Sequence, residues 1–269
     1  MIMESPKIHR FRVGILDSGI GGLTIREKIM ELLPDVSTLY IADHAAMPYG
    51  EKPDTEIVSR VLSIIGKLRS MDVDCVVVAC NTASVVGITK YRDAFPDMPI
   101  IGVVPVVKTA AQQTKTRHYA LFSTTRTIES PYTDELITKF SPDCTVDKIG
   151  SPTLARLIED GYYKTPEGQK EVMRMVSSVG DACDVTVLGC THYPLIRDEF
   201  RKFLGQNREI LDSSGAVARH VGRMLTPLAP KTALPFTHVI YTTGNVKTVS
   251  EVIATYIPGQ HIVESINIP

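Results

Sequence analysis

The chain has 269 residues, 43% of them apolar, with 29 basic against 30 acidic side chains. At about 150 residues per domain this makes one large or two small domains, with chain enough to bury a core without staples. A net charge of −1 leaves no footprint for nucleic acid or an anionic membrane, and the apolar runs are too short to cross a bilayer. The five cysteines are an odd, scattered set without disulfide-framework spacing, and the N-terminal MIMESPKIHRFRV has no apolar leader core. Both features predict a cytoplasmic protein with reduced thiols.

Along the chain, short β-branched runs alternate with longer amphipathic ones. Residues 13–16 read as a strand, and the glycine-rich turn Asp17-Ser18-Gly19-Ile20-Gly21-Gly22 follows. Helical spacing then holds over residues 23–33 and stops before Pro34. Residues 38–42 read as a strand, and a polar loop with Pro48, Gly50 and Pro53 leads to a helix capped near Asp54. Residues 75–79 are almost continuously apolar, the pattern of a strand buried on both faces. Runs at 100–104, 119–122, 185–188 and 238–241 repeat it. Strand followed by helix, many times over, predicts an α/β fold with mainly parallel sheets.

A weak internal repeat sharpens this. Asp74-Cys75-Val76-Val77-Val78-Ala79-Cys80 precedes Asn81-Thr82, and Asp184-Val185-Thr186-Val187-Leu188-Gly189-Cys190 precedes Thr191-His192. Each is an Asp, a buried strand, a Cys at the strand's carboxyl end and a nearby Thr. Two similar α/β domains are the economical explanation. Ligands of open α/β sheets bind beyond those carboxyl ends, so two facing ends would hold a small ligand between two thiols.

The individual motifs narrow the chemistry. The Asp17–Gly22 loop fails the dinucleotide fingerprint, because Thr24 stands where the third glycine belongs, and it lacks the Gly-Lys-Ser/Thr of a Walker A loop. A tight turn accounts for its glycines; it does not account for an acid, Asp17, at the end of a strand. Cys80 falls where a strand gives way to a helix, and a helix N-terminus favours the thiolate. Cys190 and His192 form a Cys-x-His, but no Cys-x-x-Cys completes a zinc set, so His192 reads as a proton partner of Cys190. Cys75, Cys144 and Cys183 read as structural thiols. Read alone, Pro48-Tyr49-Gly50 is a turn, and Glu159, ending a short helix before Gly161, is a solvated charge.

Taken in order, four segments resemble the motif set of bacterial glutamate racemases, in the cofactor-independent aspartate/glutamate racemase family. They are Gly14 to Thr24, Asp43 with Pro48-Tyr49-Gly50, Ala79-Cys80-Asn81-Thr82-Ala83-Ser84 and Gly189-Cys190-Thr191-His192-Tyr193-Pro194-Leu195. Thr124 to Tyr132 and Asp212 to Ala216 add weaker agreement. Ser151 departs from a common Cys, and His44 sits at a variable loop position; neither is expected to touch the chemistry. The resemblance implies two pseudo-symmetric α/β domains, 1–106 plus 213–269 and 107–212, with the active site between them. It implies interconversion of L- and D-glutamate without cofactor or metal, supplying D-glutamate for peptidoglycan. The partner implied is the small-molecule substrate, and a homodimer is left open.

Racemisation removes the Cα proton from one face and returns a proton to the other, which needs two acid/base groups on opposite sides of a planar carbanion. By the family pattern, Cys80 serves D-glutamate and Cys190 L-glutamate, Asp17 assists Cys80, His192 assists Cys190 and Glu159 orients His192. Ser18, Tyr49, Gly50, Asn81, Thr82, Thr124 and Thr191 would join Asp17 and His192 in binding substrate. Three rivals stand beside this. A racemase of aspartate or another small acid would tend to carry Glu at the position of His192. A non-catalytic binding protein would need neither thiol, and a cysteine hydrolase would need only one.

Overall fold

In the computed structural model, the described residues are 11–229 and 237–269; residues 1–10, which include most of the stretch inspected for a leader, lie outside them. The apolar runs pair in register. β1 (Phe11–Asp17) lies between β2 (Val36–Ala42) and β3 (Cys75–Val78), parallel to both. β4 (Ile100–Gly102) follows β3, while β9 (His238–Thr242) and β10 (Ile262–Ser265) extend the sheet beyond β2. In the second sheet β5 (His118–Thr124) lies between β6 (Thr145–Ser151) and β7 (Val185–Leu188), and β8 (Glu209–Asp212) flanks β7, again all parallel.

The order β2-β1-β3-β4 in the first sheet recurs as β6-β5-β7-β8 in the second, so the repeat seen around the two cysteines extends to the strands beside them. The repeated aspartates have a job in each copy. Asp74 Oδ2 accepts the Arg12 N–H at 2.6 Å, and Asp184 Oδ2 accepts the Lys115 N–H at 2.7 Å. Each ties the start of a strand that leads to one of the two repeated cysteines to the chain at or just before the start of its central neighbour.

Every residue of β2 and β3 is buried, as is all of β7. Helices cover both faces of the first sheet: Leu23–Leu32 and Ser214–Leu225 on one, Asp54–Ser70 and Asn81–Ala94 on the other. Their inward Ile, Leu and Val side chains each contribute about 1.5–3 kcal/mol on burial. The chain thus passes to the second sheet after β4 and returns with Ser214–Leu225, whose Val217, Ala218 and Val221 join the first core. Among the described residues, no helix is long and apolar enough to cross a membrane.

The predicted strands are present, with ends moved by no more than two residues. β6, β8 and β10 carry no apolar run that would have marked them: β6 reads Thr-Val-Asp-Lys-Ile-Gly-Ser and is buried at only two positions. All three lie at sheet edges, where one side is open and apolar patterning is not required.

Candidate active site

The carboxyl ends of β1 and β3 and the loop after β7 converge. At the end of β1 the glycine turn is shaped by close approach. A Cβ at Gly19 would overlap the Glu159 carboxylate, and one at Gly21 would overlap the His192 ring. The glycines therefore let the first half's backbone touch the second half's side chains, a stronger requirement than the tight turn expected from sequence.

Asp17 is fully buried and accepts the N–H groups of Ser18 at 2.9 Å and Gly22 at 2.6 Å, with the Thr191 hydroxyl at 3.3 Å. Burial pushes its carboxyl above the ordinary value despite the opposing pull of His192 and the backbone bonds.

Cys80 caps the helix Asn81–Ala94, as the sequence predicts, and its Sγ lies 3.9 Å from Ser18 Oγ. The expectation of a favoured thiolate is overturned. Burial pushes the thiol well above its ordinary value, the Asp17 carboxylate adds to it, and the helix amide of Ala83 offsets only part. Without ligand, Cys80 holds its proton.

Cys190 follows β7 with its Sγ 4.0 Å from His192 Nδ1. His192 Nε2 lies 2.7 Å from Glu159 Oε2. Glu159, at the end of the helix Leu154–Glu159, is buried rather than solvated. It also accepts the Ile20 N–H at 2.9 Å and lies 2.6 Å from His44 Nε2. Burial raises the Glu159 carboxyl, but the bonds from His192 and His44 outweigh it and hold it down to about 2. Burial likewise pulls the His192 imidazole down, and its contacts with Cys190 and Glu159 outweigh it and hold it well above the ordinary value. Both shifts favour the charged forms of the buried His192–Glu159 pair. His44, expected to stand apart from the chemistry, contacts Glu159 directly; a variable loop position gave no signal of this. Ser151 faces elsewhere, donating to Glu171.

Ser18, Tyr49, Gly50, Cys80, Asn81, Thr82, Thr124, Cys190, Thr191 and His192 line one cavity of about 30 Å³, with Asp17 and Glu159 behind its walls. Met47, Pro48 and Ala155 complete it; sequence reasoning missed Met47 and Ala155, which carry no chemistry-bearing group. Asn81 holds the Val103 carbonyl through Nδ2 at 3.3 Å, while its buried Oδ1 finds no hydrogen-bond partner among the described residues. A buried acceptor left unpaired is costly and points to a missing donor. Thr82 Oγ1 and Thr124 Oγ1 meet at 3.2 Å from opposite halves. The Tyr49 hydroxyl is already committed to Asp43 at 2.8 Å, so Tyr49 contributes a wall more than a free donor.

Cys75 is buried in β3 and pushed up to about 12 by burial, and Cys183 lies just before β7 with its thiol on the Val185 carbonyl at 3.1 Å. Both suit the structural role expected of them, and Cys144 is likewise outside the cavity. A larger cavity of about 310 Å³, with Arg92, Lys108 and Arg223 in its wall, holds neither Cys80 nor Cys190. Among the described residues, no group of three His, Cys, Asp or Glu side chains is placed to hold a metal ion.

A family model described as Asp/Glu/hydantoin racemase matches residues 23–221, a span that contains both thiols. The chain belongs to the Asp/Glu/hydantoin racemase family. Among its family relatives, the glutamate racemase of Proteus mirabilis is 40% identical over 209 residues, covering 76% of this chain and 73% of that protein. That of Salmonella typhimurium is 37% identical over 233 residues, covering 85% and 82%. The racemase fold matches equally well in three dimensions. A crystal structure of Escherichia coli glutamate racemase in complex with L-glutamate and activator UDP-MurNAc-ala superposes with a TM-score of 0.87 at 32% identity, covering 97% of this chain and 99% of that one.

Proposed function

We propose that this chain is a glutamate racemase that uses Cys80 and Cys190 as its two acid/base groups, on opposite faces of Cα. The observation that carries the proposal is the pair of thiols at equivalent strand ends, β3 and β7, lining one small cavity. From L-glutamate, Cys190 takes the Cα proton as a thiolate and becomes a thiol, while the Cys80 thiol gives its proton to the other face and becomes a thiolate. From D-glutamate the roles exchange. No atom is gained or lost by the substrate, so no oxidant or second reactant is needed.

The surroundings suit these roles. A strongly protonated Cys80 is loaded to deliver a proton, and to act as a base it must first lose one. Asp17, held more basic than an ordinary carboxylate, suits that exchange. His192 serves Cys190 in the same way, through the nitrogen facing Sγ, and Glu159 holds the ring from behind. Asn81 Oδ1 is the acceptor that a substrate ammonium would fill. Ser18, Thr82, Thr124, Thr191 and the Gly50 backbone offer neutral donors for two carboxylates, and such donors stabilise a carbanion as charge moves onto its carboxylate. A cavity of about 30 Å³ holds about one water, so the two halves separate to admit glutamate.

The relatives named for glutamate favour that substrate over aspartate, and the role that goes with this reading is to supply D-glutamate for peptidoglycan from the cytoplasm. The test is circular dichroism of purified protein with L- or D-glutamate, and with L-aspartate for comparison. Decay of both glutamate signals to zero supports the proposal. A static signal, or faster decay with aspartate, contradicts it.

A further inference from the structure

We propose that His44 is a positioning residue for the Cys190 half of the reaction, fixing the Glu159 carboxylate across the cleft so that Glu159 in turn aligns His192. This rests on the two-thiol mechanism and adds a residue outside the motifs that define it. Glu159 ends a helix packed in the second half, whereas His44 follows β2 in the first. The two carboxylate oxygens are divided between two rings: His44 Nε2 lies 2.6 Å from Oε1, and His192 Nε2 lies 2.7 Å from Oε2.

The far side of His44 is also fixed. Its Nδ1 lies 2.8 Å from Thr242 Oγ1, at the end of β9, and the Gly244 N–H donates to the same hydroxyl at 2.9 Å. With the hydrogen on Nε2, every group is used once: Gly244 donates to Thr242, Thr242 to His44 Nδ1, and His44 Nε2–H to Glu159. Gly244 leaves room for the ring, since a Cβ there would stand 2.8 Å from His44 Cβ. Thr242 is wholly buried and His44 is 15% exposed. A continuous chain of hydrogen-bonding groups therefore runs from β9 through His44, Glu159 and His192 to Cys190.

Oε2 is held by His192 and by the Ile20 N–H, but a carboxylate bonded through one oxygen can still rotate about its last carbon–carbon bond; His44 holds the other oxygen, Oε1, and blocks that rotation. His192 Nδ1 stands 4.0 Å from Cys190 Sγ, at the limit of a sulfur hydrogen bond, so a small rotation of the ring breaks the contact. A misplacement of about 1 Å caused by a change remote from the chemistry can cost about 10²-fold in rate. His44 prevents that misplacement without touching substrate.

The experiment compares His44→Ala with His44→Gln, whose amide N–H reaches to a similar distance, using L- and D-glutamate carrying deuterium at Cα. His44→Ala is expected to lower kcat about tenfold or more while leaving KM nearly unchanged. Because only the Cys190 transfer is slowed, the deuterium effect should rise from the L-enantiomer and fall from the D-enantiomer. His44→Gln should restore most of kcat and the wild-type isotope effects. Thr242→Val, which is nearly isosteric, cuts the chain one bond earlier and should shift the isotope effects in the same sense. Unchanged isotope effects in both His44→Ala and Thr242→Val, whether or not kcat falls, overturn the proposal, because a merely structural role lowers both directions alike. Proton NMR of the ligand-free protein separates the two levels: the low-field His192 Nε2–H signal should broaden in His44→Ala and persist in His44→Gln. That result in a protein without glutamate racemisation would sink the functional proposal and leave the positioning role standing. An unperturbed signal in His44→Ala would sink the positioning role alone.

Discussion

Thr191, the residue after Cys190, donates its hydroxyl to Asp17 Oδ2 at 3.3 Å, at the end of β1 in the other half of the protein. The acid beside one thiol is thus held by the neighbour of the other. Glu159 makes the reciprocal crossing, accepting the Ile20 N–H from the glycine turn at 2.9 Å. Each half of the molecule thus holds a buried carboxylate of the other, and the surroundings of the two thiols are tied together.

This crossing gives opposite signatures for the two assisting residues. Asp17→Asn should slow the Cys80 transfer, raising the deuterium effect from D-glutamate and lowering it from L-glutamate. His192→Asn should do the reverse. Rates alone cannot show this, because forward and reverse constants remain tied to the equilibrium constant. The same isotope pattern in both variants would deny them one-sided roles.

The Glu159–His192 pair also makes stability depend on pH. Glu159 is held down to about 2 in the folded protein, against about 4.3 unfolded. Its contribution is therefore present above about pH 4.3 and lost as pH falls through about 2. His192 is held above its unfolded value, so its share is complete below about pH 6.5 and is lost as pH rises through the folded value. The difference in Tm between the wild type and Glu159→Gln should be largest between about pH 4.3 and 6.5 and shrink on either side. A difference independent of pH would show that the pair is not ionised.

Asn81 offers a test of substrate binding that separates it from folding. Asn81→Leu removes a buried acceptor that has no partner among the described residues, together with one bond to the Val103 carbonyl. Loss of a hydrogen bond to a charged ammonium is expected to raise KM about tenfold or more. Tm should fall by only a few degrees, since one weak bond is exchanged for an unpaired group removed. A large fall in Tm with KM unchanged would make Asn81 structural.

Much of this was legible in the sequence because two constraints leave strong marks. Strands buried on both faces must be apolar throughout, which exposed β3 and β7, and the thiols at their ends gave the repeat away. Edge strands β6, β8 and β10 carry no such constraint and left no pattern. Glu159 looked like a solvated charge because its partners, Ile20, His44 and His192, lie 139, 115 and 33 residues away. His44 was invisible for the same reason. The reversed tendency of Cys80 has another origin: a helix N-terminus can be read from sequence, whereas the burial that outweighs it depends on both halves closing together.

Chelation is a further check. The Cys190/His192 spacing does not suit zinc, and proton transfer between two thiols needs no Lewis acid. Activity should survive prolonged EDTA treatment. Loss on chelation, with recovery on adding a divalent metal, would require a different mechanism.

The central claim is one thiol per face, and single serine variants in D₂O test it most directly. A serine hydroxyl is a far weaker acid than a thiol of pKa about 8.5 and cannot act as a base near neutrality, so Cys80→Ser and Cys190→Ser should both fold and both fail to racemise glutamate. Each should keep the chemistry of its surviving thiol on a glutamate analogue with a leaving group beside Cα. Cys190→Ser should eliminate only from the D-analogue and Cys80→Ser only from the L-analogue, while the wild type places solvent deuterium on the Cα of its racemised product. Racemisation at near wild-type rate in either variant, or elimination from the same enantiomer in both, would contradict the two-thiol account.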